Sequence, residues 1–226
     1  MLAELLAEPG VVEVCTLRSS FGFLALHGGS VEKVTDHIAI TAAERAGASL
    51  YALIQGSESG RHVPASQMSP NDSSVLAAFL AHVDVVVSIH GFGVASLWQA
   101  RQRAVESGDD RHLVFAKDLP YAPDRALLLG GSNRALAGDI AVHLREALSD
   151  YHPVDELSLI PRQLRGLHPR NPVNLPSMGG VQIECCPDVR GLGPGWWGKG
   201  TPEAPHPPET ERLIDALTAV ASKNSR

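Results

Sequence analysis

The chain has 226 residues, 44% of them hydrophobic and 19% charged, with a formal net charge of -6. That length suits one sizeable core, so a single domain over 1–226 is expected, and the balance excludes wholesale disorder. The acidic charge gives no reason to expect nucleic acid or an anionic membrane surface as a partner, although a local basic pocket would still suit an acidic substrate.

The first ten residues lack the cationic start and long apolar run of a secretory signal. No stretch approaches the roughly 20 apolar residues of a membrane span, so a cytoplasmic protein is expected. Val11 to Leu17 and Phe21 to Leu26 are β-rich runs, the second ending at His27-Gly28-Gly29. From Asp36 to Ala46, apolar residues recur at helical spacing, with Thr35 or Asp36 as N-cap and Gly47 as the stop. Ser49 to Ile54 reads as a strand and Asp72 to His82 as a helix. Val83 to Ile89 is an apolar, β-branched strand stopping at His90-Gly91. Arg125 to Leu129 is a further strand, ending at Gly130-Gly131 and leading into a helix from Ser132 or Asn133 to about Leu148. Val181 to Cys186 is a late strand, 191–208 a Gly/Pro-rich loop, and Pro208 to Ala221 an amphipathic helix. The repeated order of strand, loop and helix predicts an α/β domain with a mixed, mostly parallel sheet covered by helices on both faces.

In open parallel sheets, ligands gather at the carboxyl ends of strands. Three of the predicted strands end in glycine-flanked polar residues: Leu26-His27-Gly28-Gly29, Ile89-His90-Gly91, and Leu129-Gly130-Gly131-Ser132-Asn133-Arg134. Two histidines therefore arrive at one rim, with Glu32 five residues after the first. Two imidazoles and a carboxylate suit a zinc ion that keeps a fourth position open for water. Taken singly, each is as well explained as a hydrogen-bonded loop histidine or a solvated glutamate. In the last strand, period-two alternation puts Gln182, Glu184 and Cys186 on one face and Val181, Ile183 and Cys185 on the other, so Glu184 can face a polar cleft. The alternative is a salt-bridged glutamate on an edge strand.

The ordered segments His27-Gly28-Gly29-Ser30-Val31-Glu32, Ser88-Ile89-His90-Gly91, Gly130-Gly131-Ser132-Asn133-Arg134 and Gly180-Val181-Gln182-Ile183-Glu184 resemble the poly-γ-glutamate hydrolase family. The fold of that family is similar to the zinc carboxypeptidases. The resemblance spans roughly residues 20 to 190. It implies that His27, Glu32 and His90 bind zinc and that Glu184 is the general base of an amide hydrolase. The substrate class it implies is poly-γ-glutamate or γ-glutamyl peptides. Where family members usually carry Gly-Thr, this chain has Val34-Thr35, which predicts a different local turn. The late loop reads Asn171-Pro172-Val173-Asn174-Leu175 without the usual arginine, and the 92–124 stretch has no counterpart.

Asn133 and Arg134 are candidates for a substrate carboxylate clamp, since a guanidinium can bind both oxygens at once; an N-cap followed by an ordinary surface arginine reads the same way. His62 and Arg61 are candidates for touching substrate or stabilising an oxyanion, against the alternative of a plain surface loop. A non-catalytic protein binding acidic peptides or metabolites on the same scaffold is the competing function. A cysteine-dependent enzyme using Cys185 or Cys186 is a third. Gly193-Pro194-Gly195-Trp196-Trp197-Gly198-Lys199 matches a glycine-rich phosphate pattern only formally, because Pro194 removes a donor and Gly200 replaces the required Ser or Thr. Trp196 and Trp197 read better as an anchor or lid.

Overall fold

The computed structural model describes residues 1–57, 60–93, 120–192 and 206–224. Its elements in chain order are α1 (Leu2–Leu6), β1 (Val11–Thr16), β2 (Phe21–Gly29), α2 (Thr35–Ala46), β3 (Ser49–Gln55), α3 (Ser74–His82) and β4 (Val85–Gly91). There follow β5 (Ala126–Leu129), α4 (Arg134–Ala147), β6 (His152–Val154), β7 (Gly180–Cys185) and α5 (Pro208–Asn224). The Trp196-Trp197 loop and most of the 92–124 stretch lie outside the described residues.

The seven strands form one sheet in the order β1-β3-β2-β4-β7-β5-β6. Parallel pairing joins β3 to β2, β2 to β4, β4 to β7 and β5 to β6, while β1–β3 and β7–β5 are antiparallel. The mixed, mostly parallel sheet expected from the order of elements is therefore present. Both faces carry apolar cores, as continuous runs such as Val85-Val86-Val87 require. On one face, Ile38 and Ala42 of α2, Ile140 and Leu144 of α4, and Leu213 and Leu217 of α5 pack on alternate strand residues including Phe23, Val87 and Ile183. On the other, Leu2 and Leu5 of α1 and Leu76 and Phe79 of α3 meet Leu24, Leu26, Leu53 and Val86.

The helix boundaries follow local chemistry. Ser73 caps α3 by accepting from Leu76 N, Asn133 caps α4 by accepting from Leu136 N, and Gly47 ends α2 at φ 63°. The N-cap of α2 is neither Thr35 nor Asp36 but Val34, in the left-handed conformation at φ 76° and ψ -12°. The turn is the one a glycine would fill, with a β-branched residue held in a region that normally disfavours it. At Val34-Thr35 a β-branched side chain thus bears the strain of the left-handed turn.

One strand direction differs from a simple reading of the sequence. β5 runs antiparallel to β7, with Leu127 opposite Cys185 and Leu129 opposite Ile183. Beyond it, Asn133 N donates to Gly180 O, at the beginning of β7. The Gly130–Arg134 segment therefore leaves the sheet at the rim opposite the carboxyl ends of β2, β4 and β7.

Candidate metal centre and active-site cleft

Three adjacent parallel strands, β2, β4 and β7, deliver His27, His90 and Glu184 to the same rim. His90 and Glu184 are register partners. The pairing of β2 with β3 skips one residue between Ala25 and Gly28, a bulge that bends the strand and re-aims the side chain beside it. Gly29, at φ 73°, turns the chain so closely over β3 that a Cβ there would lie 2.2 Å from Gln55 O. The loop then folds back: Glu32 N donates to His27 O at 2.8 Å, and both Thr35 N and Thr35 Oγ1 donate to Glu32 O. Glu32 is held inward, and Gly91 N donates to its Oε2 at 2.9 Å.

The buried cluster this creates is dense in electron pairs. His27 Nδ1 lies 2.9 Å from Glu32 Oε1 and 3.2 Å from His90 Nδ1, and His90 Nδ1 lies 3.3 Å from Glu32 Oε2. His27 Nε2 is 2.8 Å from Val63 O; a carbonyl can only accept, so this nitrogen carries the proton and Nδ1 is left to offer its lone pair. Two imidazole nitrogens and a carboxylate gathered this closely suit a cation, a proton or a metal ion, among them. Tetrahedral zinc with nitrogen and oxygen ligands at about 2.0–2.2 Å would place its ligand atoms about 3.3–3.5 Å apart, and the observed separations fall within a few tenths of an ångström of that. The donor set therefore fits zinc. His62 comes from the facing loop, its ring centroid 4.4 Å from that of His27 and its Nε2 3.7 Å from Glu32 Oε1. His27, Glu32 and His62 can each bring one ligand atom to within 4.8 Å of the others, so His62 has a place at the metal centre as well as over the cleft.

Electrostatics follow from burial. Desolvation alone pushes a carboxyl up, yet the His27 and His90 imidazoles hold Glu32 well below the usual carboxylate range. Burial opposes a charged His90 ring, but Glu32 beside it raises His90 above its ordinary value. Glu184 has no such close partner among the described residues. Burial lifts it to about 7; His90 opposes the rise, the Glu32 charge adds to it, and Gln182 and Arg190 favour the ionised form. Gln182 Nε2 donates to Glu184 Oε1 at 2.8 Å, and Asn171 Nδ2 donates to Gln182 Oε1 at 2.9 Å. The carboxylate is oriented through this relay, and Oε2 has no hydrogen-bond partner among the described residues.

These groups open into a cleft of about 830 Å³, whose walls include His62, Phe92, Arg162, Gln163, His168 and Asn171. Arg162 is exposed and its guanidinium has no partner among the described residues. The segment Pro161–Arg170 holds three arginines and a histidine, a basic run in an acidic chain that could have pointed to this wall. Nothing comparable marks Gln182, whose role depends on a neighbour two residues on in the same strand.

Other sequence expectations land elsewhere. Asn133 spends its side-chain oxygen on the cap of α4 and donates Nδ2 to Met178 O. Arg134 donates to Gly130 O and Gly131 O at 2.9 and 3.2 Å and also to Asp155 O. The clamp reading of this pair is corrected: the antiparallel β5 carries them to the opposite rim, and neither lines the cleft. Arg61 likewise turns outward, to Glu8 at 3.3 Å and Glu4 at 3.9 Å. Cys185 and Cys186 are fully buried, and burial raises both thiols, Cys186 to about 12, so neither presents a thiolate nucleophile.

The model of the poly-gamma-glutamate hydrolase family matches residues 4–115. Over that segment the chain is similar to the poly-γ-glutamate hydrolase family. The matched segment contains His27, Glu32, His62 and His90, while Arg162, Gln182 and Glu184 lie beyond it. Among solved structures, the chain is similar to a bacteriophage poly-gamma-glutamate hydrolase, with 21% identity, 95% of this chain and 89% of that one covered, and a TM-score of 0.66. It is also similar to apo, zinc-free YNDL, at 18% identity, 96% and 92% coverage and a TM-score of 0.68. A looser likeness, with 9% identity and a TM-score of 0.49, covers 99% of this chain and 68% of a metallo-carboxypeptidase from Burkholderia cenocepacia. No curated protein sequence matches. No helix among the described residues is long and apolar enough to cross a membrane.

Proposed function

We propose that this chain is a zinc-dependent hydrolase of amide bonds beside glutamate-like carboxylates, with poly-γ-glutamate or γ-glutamyl peptides as its substrate class. The observation that carries the reading is the convergence of His27 Nδ1, His90 Nδ1 and the two Glu32 carboxylate oxygens, with contacts of 2.9–3.3 Å, at the floor of an open cleft. Bound there, zinc lowers the pKa of its water to about 7 and polarises a carbonyl oxygen.

The remaining chemistry belongs to the chain. Glu184 Oε2 receives the proton of the attacking water and returns it to the departing amide nitrogen. Its raised pKa, about 7, is near the value at which a carboxyl exchanges protons efficiently under neutral conditions. His62, above the His27 ring, stands where it can donate to the oxygen on which charge develops. Arg162 supplies a free guanidinium on the far wall, suited to the carboxylate that each residue of a γ-linked glutamate chain carries.

Metal analysis of the purified protein, joined to a chelator-and-restoration assay on γ-glutamyl and α-glutamyl peptides, tests the reading. One zinc per chain, activity lost to the chelator and restored by zinc, and faster cleavage of the γ-linked peptides are expected. His27→Ala should lose the metal. Glu184→Gln should keep it while losing activity roughly 10²–10⁴-fold. Hydrolysis that persists without metal, or at an unchanged rate in Glu184→Gln, would sink the mechanism.

A further inference from the structure

Beneath the cleft lies Arg190, only 2% exposed, in the short 3-10 turn Asp188–Arg190 that follows β7. A buried guanidinium is expensive unless its donors are satisfied, and among the described residues none of its hydrogen bonds goes to a carboxylate and all run to backbone carbonyls. Nη1 donates to Lys33 O at 3.0 Å, Nη2 to Phe92 O at 3.0 Å and Nε to Cys186 O at 3.3 Å.

The identity of those carbonyls is informative. Lys33 immediately follows Glu32, Phe92 lies two residues after His90, and Cys186 lies two residues after Glu184. One planar fork thus reaches the three chain segments that hold two of the candidate ligands and the candidate base. The guanidinium also packs under Gly91, where a Cβ would come within 2.5 Å of Arg190 Cζ and Nη1. Gly91 is the residue whose N–H holds Glu32 Oε2.

We propose that Arg190 is a positioning residue for the metal centre, tying the Glu32, His90 and Glu184 segments together so that their side chains keep the spacing a tetrahedral ion needs. Arginine suits the task because its five donors diverge in one rigid plane, whereas a lysine ammonium is a single point at the end of a flexible stem. The inference rests on the metal-centre reading above, and the test separates the two.

Zinc affinity of the folded protein, measured by competition with a chromophoric chelator well below each variant's melting temperature, is the readout. Arg190→Met should bind zinc roughly 10- to 100-fold more weakly, as with loss of an outer-sphere partner, and Arg190→Lys should recover part of the loss. Gly91→Ala, which keeps the arginine but displaces its guanidinium, should weaken binding too, and it carries the test if Arg190→Met does not fold. Ile214→Ala, which hollows the core under α5, should lower the melting temperature without changing the affinity. If wild-type protein binds no zinc, both readings fall. If it binds zinc and the Arg190 and Gly91 variants bind as tightly, this inference alone is overturned.

Discussion

Replacing Gln182 with methionine removes an amide donor of similar length from the strand that carries Glu184, and its effect on the pH profile can be worked out in advance. Gln182 Nε2 donates to Glu184 Oε1 at 2.8 Å, a bond that is stronger when the carboxyl is ionised. Hydrogen bonds to charged groups contribute about 1.5–3 kcal/mol, and one pKa unit corresponds to about 1.36 kcal/mol. Losing this one should therefore raise the pKa of Glu184 by about 1–2 units. The sign follows from the role: a base must be ionised, so activity is lost as pH falls through its pKa. In the wild-type enzyme the acid limb of kcat/KM should lie at or below about 7, the value set chiefly by burial, because a bound cation also favours the carboxylate. In Gln182→Met the limb should move to higher pH. The assay is kcat/KM for a γ-glutamyl peptide at saturating zinc across the acid and neutral range, with Glu184→Gln abolishing the limb. A midpoint that stays in place in Gln182→Met, or moves to lower pH, refutes the reasoning whatever happens to the absolute rate.

Arg162→Ala should lower kcat/KM about 10-fold, the lower end for a charge-assisted bond because the side chain is exposed, and the deficit should shrink in added salt, as steady-state kinetics on a carboxylate-bearing peptide will show. Arg134→Met should lower stability by about 1–2 kcal/mol in urea unfolding, since a half-buried fork then withdraws its donors from three carbonyls; kcat/KM should not change, and a loss of activity in folded protein would return the residue to the substrate. At Val34, glycine should be tolerated better than alanine in the same unfolding assay. Both substitutions remove a buried side chain, but only glycine relieves the left-handed backbone, which costs about 1–2 kcal/mol for other residues; an alanine variant more stable than the glycine variant would show that the turn is not strained.

How much of the centre was readable beforehand depended on whether its signal was local. His27 and His90 each sit at the end of an apolar run and before glycine, and parallel pairing of β2 and β4 brings such ends to one rim. Glu184 was visible as a charge within an apolar strand, and alternation placed it on the polar side. The direction of β5 was not visible. Ala126–Leu129 is apolar throughout, so it reads the same whichever way it pairs, and its reversal against β7 sends Asn133 and Arg134 to the far rim. Arg190 gave no local sign either. It follows the last central strand in an ordinary turn, and only its three distant carbonyls reveal that it is inside.

Helices α1 and α3 cover the β1-β3-β2-β4 side of one sheet face, but where Gln182 and Glu184 look out, the covering is the irregular chain that passes through Arg162, Gly166 and Asn171. That chain is fastened by its backbone, Arg165 O receiving Gly131 N at 2.7 Å and Gly166 O receiving Asn174 Nδ2 at 2.6 Å, and by the Asn171 amide, rather than by the exposed side chains of Arg162, Gln163 and Leu167. The molecule is thus divided into a fixed floor and an exchangeable wall. Residues such as Arg162, Gln163 and Leu167 can be recoded, by drift or by design, with little cost to the sheet beneath. A shift in substrate preference within this scaffold should therefore be sought first in this ten-residue loop rather than among the residues that would carry the metal.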